Sequence, residues 1–143
     1  MQNLASKRIL FVDDEPHMHK IVKISLETIG GWEVMVANSG AEGIVKAEDL
    51  KPDAILLDVM MPEMDGIACL KKLQLNIQAQ SIPVIFLTSI LSFTEANQFL
   101  ALGAVGAIAK PFNPVTLVSE IAKILGWNLE NSETQRVQKH YIS

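Results

Sequence analysis

Residues 9–16 read ILFVDDEP, in which four apolar side chains lead directly into three acidic residues and a proline. A short apolar run of this kind predicts a buried β-strand over residues 9–12. Pro16 suits the first turn of a helix, because its missing N–H would have no partner there in any case. The following residues carry apolar side chains at three- and four-residue spacing, which predicts a helix. Its buried face is predicted to contain Met18, Ile21, Val22, Ser25, Leu26 and Ile29.

The same order of apolar run and helical pattern occurs five times along the 143 residues. The predicted strands cover residues 9–12, 34–37, 54–57, 82–87 and 107–109. The later predicted helices cover residues 41–50, 67–77, 94–102 and 114–125. The helix over residues 67–77 is expected to turn Leu70, Leu73 and Ile77 inward. Alternating strands and helices with continuous apolar strands predict an α/β fold, with a parallel sheet covered on both faces. Right-handed crossovers and the chain length favour a flavodoxin-like, doubly wound sheet of five strands in the order 2-1-3-4-5, with five helices.

Four of the predicted strands end on residues that can take part in phosphoryl chemistry. These are the pair Asp13 and Asp14, then Asp58, Thr88 and Lys110. The carboxyl ends of parallel strands meet at one edge of the sheet, where open α/β folds place their ligand crevice. Three acids, a hydroxyl and an ammonium are therefore expected to converge on one small site.

The expected crowding of three carboxylates calls for a cation, because neighbouring carboxylates repel each other. Mg²⁺ prefers oxygen ligands and usually takes one or two carboxylates together with phosphate oxygens. Asp14 and Asp58 suit direct ligation, and Asp13 suits contact through water. The arrangement also allows a carboxylate to attack phosphorus and form an aspartyl phosphate. Lys110 would then offset charge on the phosphoryl oxygens, and Thr88 would donate a hydrogen bond.

Composition excludes several classes of function. The formal net charge is −4, and no run of Lys or Arg is present, so no nucleic-acid surface is expected. Cys69 is the single cysteine, which excludes an internal disulfide and predicts a small buried apolar side chain. The longest nonpolar stretch, residues 99–109, falls far short of the roughly 20 residues that span a bilayer. We therefore expect a cytoplasmic protein with no membrane contact.

Four motifs in this order resemble the receiver domain of two-component response regulators, of the stand-alone, chemotaxis-regulator-like kind. They are ILFVDDEP, LLDVMMPEMDG, PVIFLTS and GAVGAIAKPF, and the resemblance covers residues 7–125. By this resemblance Asp58 is the phosphoacceptor, with Mg²⁺ as cofactor. The remaining implied roles are metal ligation by Asp13, Asp14, Asp58 and the main-chain carbonyl of Met60, and contact with the phosphoryl group by Thr88 and Lys110.

The resemblance also implies partners. A sensor histidine kinase or a histidine phosphotransfer protein is expected to donate the phosphoryl group. The face formed by the fourth helix, fifth strand and fifth helix is expected to bind a downstream protein or a second copy of the chain. Beyond its own phosphorylation and dephosphorylation, no enzymatic activity is expected. Residues 1–127 are expected to form the receiver domain, residues 128–143 a flexible or loosely docked tail, and the bond from Lys110 to Pro111 a cis peptide.

Three departures from the family pattern give further expectations. Ala107 stands where the family commonly has Tyr or Phe, so the signal is expected to pass through loop and helix movement alone. Val105 and Gly106 replace frequent acids, which leaves the expected partner face short of charge. Met60 and Ile90 are apolar at positions bordering the path of the attacking water, and are expected to slow loss of the phosphoryl group.

Other functions are compatible with parts of the pattern. A magnesium-dependent phosphohydrolase would also form an aspartyl phosphate, but it usually has a second acid two residues after the nucleophile, where this chain has Met60. A pseudo-receiver that only docks proteins is suggested by Ala107. A flavin- or nucleotide-binding protein would share the fold, but no glycine-rich loop follows the first strand. His17 and His19 are interpreted as surface polar residues, since residues two apart on a helix do not face each other.

Overall fold

A computed structural model of the chain describes residues 7–89 and 92–129. Its five strands are β1 (Arg8–Val12), β2 (Glu33–Ala37), β3 (Ala54–Asp58), β4 (Val84–Thr88) and β5 (Gly106–Ala109). Its five helices are α1 (Pro16–Thr28), α2 (Gly40–Leu50), α3 (Gly66–Gln74), α4 (Phe93–Ala101) and α5 (Leu117–Leu125). Strands and helices alternate throughout, as the sequence predicts.

The strands form one parallel sheet in the order β2-β1-β3-β4-β5, which confirms the predicted flavodoxin-like arrangement. Val12 pairs with Leu57, and Asp58 pairs with Leu87 on the next strand. Thr88 pairs with Ala109 at the end of β4 and β5. The register therefore places the carboxyl ends of β1, β3, β4 and β5 side by side at one edge.

Two apolar cores lie on opposite faces of the sheet, because successive side chains of a strand point to opposite faces. Phe11 and Leu56 pack with α1 and α5 in the first core, whereas Leu10 and Leu57 pack in the second core. The second core also takes in Phe86 of β4 and side chains of α2, α3 and α4. Both faces are covered, and this accounts for the continuous apolar character of β1, β3 and β4.

Polar side chains mark the beginnings of three helices. The oxygens of Ser39, Asp65 and Ser92 each accept a hydrogen bond from a main-chain N–H in the first turn of the helix that follows. Gly66 begins α3 close to the end of β3, and a side-chain carbon there would collide with the main chain of Asp58 and Val59. Glycine at this position therefore allows α3 to begin directly beside Asp58 at the end of β3.

Some predicted helix details are wrong. The third helix ends at Gln74, three residues earlier than predicted, and Ile77 is 85% exposed. Residues 75–80 instead form a turn in which the side chain of Asn76 accepts from the N–H of Gln78 and donates to Glu48 on α2. The fifth helix begins at Leu117, because Asn113 and Pro114 form a turn before it. On α1, Ile21 is 41% exposed rather than buried.

Two tryptophans pack together at the amino ends of the strands. Trp32 immediately precedes β2 and is 2% exposed, and Trp127 follows α5. Their rings meet edge to face with centroids 5.2 Å apart, and the ammonium of Lys7 lies 4.8 Å from the Trp127 ring centroid. These contacts tie the end of α5 to the sheet, on the edge opposite the carboxyl ends of the strands.

Cys69 lies buried on α3, as predicted. Burial raises the pKa of its thiol to about 11, although the charge of Lys72 acts in the other direction. No helix within residues 7–89 and 92–129 is both long and apolar enough to cross a membrane.

Candidate functional site

Three aspartates meet at the carboxyl edge of the sheet. Asp13 and Asp14 follow β1, and Asp58 is the last residue of the neighbouring strand β3. Carboxylate oxygens of all three lie within 4.8 Å of one another. Asp13 is fully buried and Asp58 is 3% exposed, whereas Asp14 is open to solvent. The cluster is therefore accessible on the side of Asp14 and enclosed behind it.

Lys110 brings a positive charge into this cluster. Its Nζ lies 3.1 Å from Oδ1 of Asp58 and 3.4 Å from Oδ2 of Asp13. Its main-chain N–H donates to the carbonyl oxygen of Thr88 at 2.7 Å, which fixes the lysine beside the end of β4. The peptide bond from Lys110 to Pro111 is cis, as the family resemblance implies.

The electrostatics of the cluster are unbalanced. Burial raises the pKa of Asp58, and the charge of Asp13 raises it further against the lowering effect of Lys110. Burial lowers the pKa of Lys110, but its contacts with Asp58 and Asp13 outweigh burial and the net pKa is raised. Three carboxylates and one ammonium leave two negative charges in excess. A divalent cation would balance this excess.

The protein holds Asp13 through every one of its polar groups. Its N–H donates to the carbonyl of Ala37, Oδ1 accepts from the N–H of Glu15, and Oδ2 contacts Lys110. Its carbonyl oxygen lies 2.6 Å from Nε2 of His19, a half-buried residue on α1. The interpretation of His19 as a surface polar residue is therefore wrong. No spacing in the sequence indicates this contact, because it depends on how the turn before α1 folds back.

The other predicted site residues lie around the same edge. Thr88 ends β4 beside Asp58 and is 2% exposed. Met60 follows in the β3–α3 loop, where its N–H donates to Oδ1 of Asp58 at 3.3 Å and its side chain is 65% exposed. All predicted site residues are thus gathered at one edge of the sheet. Ile90 lies outside the described residues.

Ala107 faces the aromatic pair of the second core. It pairs with Phe86 on β4, and the ring of Phe86 packs against that of Phe99 on α4 with centroids 4.8 Å apart. Phe86 lies two positions before Thr88, so both side chains point to the same face of the sheet. The contact between Phe86 and Phe99 therefore joins β4, the strand that ends at Thr88, to α4. On the neighbouring strand β5, the residue paired with Phe86 is Ala107, which has no aromatic ring.

An apolar pocket of about 350 Å³ adjoins the cluster. Met18 and Ile21 of α1 form one wall, and Pro111 and Phe112 form another wall after β5. Lys110 contributes to the lining. The half-buried ammonium of Lys110 can thus be approached along an apolar surface from the side of α1.

The geometry favours chemistry on a phosphoryl group. Asp58 offers an oxygen nucleophile, and Lys110 can neutralise charge on transferring oxygens in a partly dehydrated site. The three carboxylates present hard oxygen donors of the kind that Mg²⁺ prefers, with one exposed member on the open side.

Comparisons with known proteins agree with this geometry. The family model described as the response regulator receiver domain matches residues 9–122. The chemotaxis protein CheY4 of Vibrio cholerae has a structure similar to this one, with a TM-score of 0.77 and 33% identity over 83% of this chain and 98% of that one. The signal receiver domain of a signal transduction histidine kinase from Syntrophus aciditrophicus gives a TM-score of 0.72 at 33% identity, covering 85% and 91% of the two chains.

Curated relatives carry the same domain within longer proteins. A protein-glutamate methylesterase/protein-glutamine glutaminase of Rhodospirillum rubrum is 42% identical over 120 residues, which are 81% of this chain and 31% of that protein. The alkaline phosphatase synthesis transcriptional regulatory protein PhoP of Bacillus subtilis is 38% identical over 84% of this chain and 49% of its own length. This chain thus spans about a third to a half of these relatives. Because the family model covers most of the chain, the protein belongs to the response regulator receiver domain family of two-component signalling.

Proposed function

We propose that Asp58 accepts the phosphoryl group that this receiver domain takes from a phosphohistidine donor. The observation that carries the proposal is the Asp58 carboxylate itself, which is 3% exposed, lies beside two other carboxylates and contacts the Lys110 ammonium at 3.1 Å. A carboxylate of this kind can act as nucleophile when charge on the incoming group is neutralised. Lys110 also contacts Asp13 at 3.4 Å, but its contact with Asp58 is shorter, and in the described part of the chain this lysine forms no ion pair with Asp14.

The proposed transfer forms an O–P bond at Asp58 and breaks the N–P bond of the donor histidine, whose ring leaves with the bonding electron pair. Lys110 moves from its contact with Asp58 to the phosphoryl oxygens, where its charge offsets the charge that builds up during transfer. Thr88 donates its hydroxyl to one of these oxygens from the end of β4. Because Lys110 already contacts both buried acids, little rearrangement is needed for this role.

We propose Mg²⁺ as the cofactor. Asp13, Asp14, Asp58 and the main-chain carbonyl of Met60 would hold it, and it would supply charge neutralisation on the phosphoryl oxygens. The fit follows from the donor set, because all side-chain donors are carboxylate oxygens within 4.8 Å and two negative charges are in excess. Phosphate oxygens and water would complete a coordination shell of this kind.

The proposal is tested by incubating the chain with acetyl phosphate and MgCl₂. We expect one covalent phosphoryl group per chain, lost on treatment with hydroxylamine because acyl phosphates are cleaved by that nucleophile. Reduction with borohydride should convert the modified aspartate to homoserine, and mass spectrometry of the peptides should place it at Asp58. Label on Asp13, Asp14 or a serine instead would refute the assignment.

Mg²⁺ is expected to raise the melting temperature of the domain, because it binds the assembled carboxylates and not the unfolded chain. At a hundredfold excess over the dissociation constant, the gain of about 2.7 kcal/mol corresponds to roughly 5–10 °C. Asp14→Asn should reduce the rise at the same concentration, and this substitution is suitable because Asp14 is exposed. Asp49→Asn, an exposed aspartate on α2, serves as the control and should keep the full rise. Equal rises in Asp14→Asn and the wild type, measured by calorimetry, would contradict the proposed site.

Two of the other functions that the sequence left open, a phosphohydrolase and a docking-only pseudo-receiver, are less well supported. A phosphohydrolase of this architecture would need an acid for the leaving group at position 60, and Met60 has an apolar, 65% exposed side chain there. A docking-only pseudo-receiver would not need three converging carboxylates and a lysine, all of which are in place. We accordingly propose no enzymatic activity beyond phosphorylation and dephosphorylation of Asp58 itself.

We further propose that the signal leaves through the face formed by α4, β5 and α5. Leu100 of α4 and Val105 before β5 are 51% and 42% exposed, so apolar surface is available there. Phe86 and Phe99 connect this face to the strand that ends at Thr88. Movement of β4 and α4 would thus transmit the signal. In the family an aromatic side chain on β5 commonly does so, but this chain has Ala107 there.

A second copy of the chain is the simplest occupant of that face. Light scattering is expected to show a dimer after treatment with acetyl phosphate and Mg²⁺, because apolar surface at α4 and β5 would be buried on association. Leu100→Glu should restore the monomer mass, whereas Leu75→Glu should not, since Leu75 is 86% exposed at the end of α3. A protein that stays monomeric with and without the phosphodonor would refute the dimer.

A further inference from the structure

The side chain of His19 lies outside the predicted site but contacts the main chain of one of its acidic residues, Asp13. Its Nε2 lies 2.6 Å from the carbonyl oxygen of Asp13, six positions earlier in the chain. A carbonyl oxygen only accepts hydrogen bonds, so Nε2 must carry a proton and donate. That nitrogen is therefore committed to the main chain and cannot also bind a metal ion.

The ring of His19 is held in place for this contact. It packs edge to face on Phe11 of β1, with centroids 5.7 Å apart and an angle of 79° between the planes. Phe11 is fully buried in the first core. The main-chain N–H of His19 donates to the carbonyl of Glu15 at 3.2 Å in the first turn of α1. The donor is thus anchored at both its ring and its main chain.

The contact fixes the peptide unit between the two acids of the β1–α1 loop. The carbonyl of Asp13 belongs to the same rigid plane as the N–H of Asp14. Rotation of that peptide plane would turn the side chains of Asp13 and Asp14 relative to Asp58. The other polar groups of Asp13 are bonded to Ala37, Glu15 and Lys110, so His19 supplies the last of its contacts.

We propose that His19 is a positioning residue for the divalent-cation site: it holds the Asp13 carbonyl so that the Asp13 and Asp14 carboxylates are already arranged to receive the ion. Residues that orient metal ligands through hydrogen bonds typically contribute about 10–100-fold to metal affinity. The inference rests on the proposed cation site and adds a residue that touches neither the ion nor the phosphoryl group.

Direct measurement of Mn²⁺ binding tests this role. Mn²⁺ takes the same oxygen ligands as Mg²⁺, and electron paramagnetic resonance reports its free concentration without any phosphotransfer. His19→Leu removes the donor, and His19→Phe also removes it while keeping a ring against Phe11. We expect both variants to bind Mn²⁺ roughly tenfold more weakly than the wild type. His19→Gln keeps an N–H donor and should regain most of the affinity.

Two controls separate positioning from folding. His17→Leu changes an exposed histidine two residues away on the same helix and should leave affinity unchanged. Melting temperatures measured without metal should stay close to the wild type for His19→Phe, because the ring packing is preserved. Should His19→Leu fail to fold, His19→Phe and His19→Gln still give the comparison.

The outcomes distinguish this inference from the function on which it rests. If the wild type binds no Mn²⁺, the proposed cation site is wrong and the role of His19 is wrong with it. If the wild type binds Mn²⁺ and folded His19→Phe binds it equally well, the cation site stands and His19 has no positioning role. Weaker binding in His19→Phe with recovery in His19→Gln supports the inference.

Discussion

Asp58→Asn is expected to take up no phosphoryl group from acetyl phosphate and Mg²⁺, with a labelling rate at least about a hundredfold below the wild type. The amide nitrogen and oxygen of asparagine are poor nucleophiles, whereas the carboxylate that they replace lies against Lys110 at 3.1 Å. Phosphate-affinity gels sampled over time measure the rate. The shape of the side chain hardly changes, so lost labelling would reflect chemistry and not misfolding.

A matched substitution and a stability measurement complete this test. Asp49→Asn makes the same chemical change at an exposed site on α2 and should label normally. Without metal, Asp58→Asn should also melt at a higher temperature than the wild type at neutral pH. The pKa of Asp58 is raised by burial and by Asp13, so its contribution to stability is present at low pH and lost as pH rises through the folded-state value. Continued labelling of Asp58→Asn would show that another residue accepts the phosphoryl group.

Ile55→Ala is expected to lower the free energy of unfolding by about 2–5 kcal/mol, the usual cost of truncating a large apolar side chain in a core. Ile55 lies on the central strand β3 and is 1% exposed, within the core that also holds Phe86 and Phe99. Small domains are stable by only about 5–15 kcal/mol, so this is a large fraction of the total. Urea denaturation followed by circular dichroism gives the value.

Ile77→Ala is the matched control and tests a corrected prediction. Helical spacing predicts that Ile77 turns inward, but the structure leaves it 85% exposed in the turn after α3. We therefore expect a change within about 0.5 kcal/mol, as is usual at surface positions. A loss comparable to that of Ile55→Ala would contradict the exposure of Ile77 and mean that its side chain packs against others.

The order of strands and the site at their carboxyl ends were predictable because both depend on local pattern. Continuous apolar runs identify buried parallel strands, and the topology of such a sheet brings Asp13, Asp58 and Thr88 together without further information. The resemblance to receiver domains then gave each residue a role and the cis bond before Pro111. The strand order and the convergence of these residues follow from local pattern and the rules of sheet connection, whereas the roles and the cis bond follow from the resemblance alone.

The details that failed depend on side-chain contacts that the three- and four-residue helical spacing does not describe. Helical spacing continues past Gln74, but Asn76 leaves the helix because its side chain bonds to Gln78 and to Glu48 of α2. Likewise, the His19 side chain contacts the Asp13 carbonyl six positions earlier, a separation outside the helical spacing. Periodicity describes one helix in isolation and contains no information about such partners.

The positions of the two tryptophans determine which events intrinsic fluorescence can detect in this protein. Trp32 and Trp127 are the only tryptophans of the chain and meet at the amino ends of the strands, while the carboxylates lie at the opposite edge. Intrinsic fluorescence will therefore report whether α5 stays attached to the sheet during unfolding. It is expected to change little when an ion binds at Asp14. An optical sensor for the ion requires a new fluorophore beside Met60, whose exposed side chain can be replaced without opening either core.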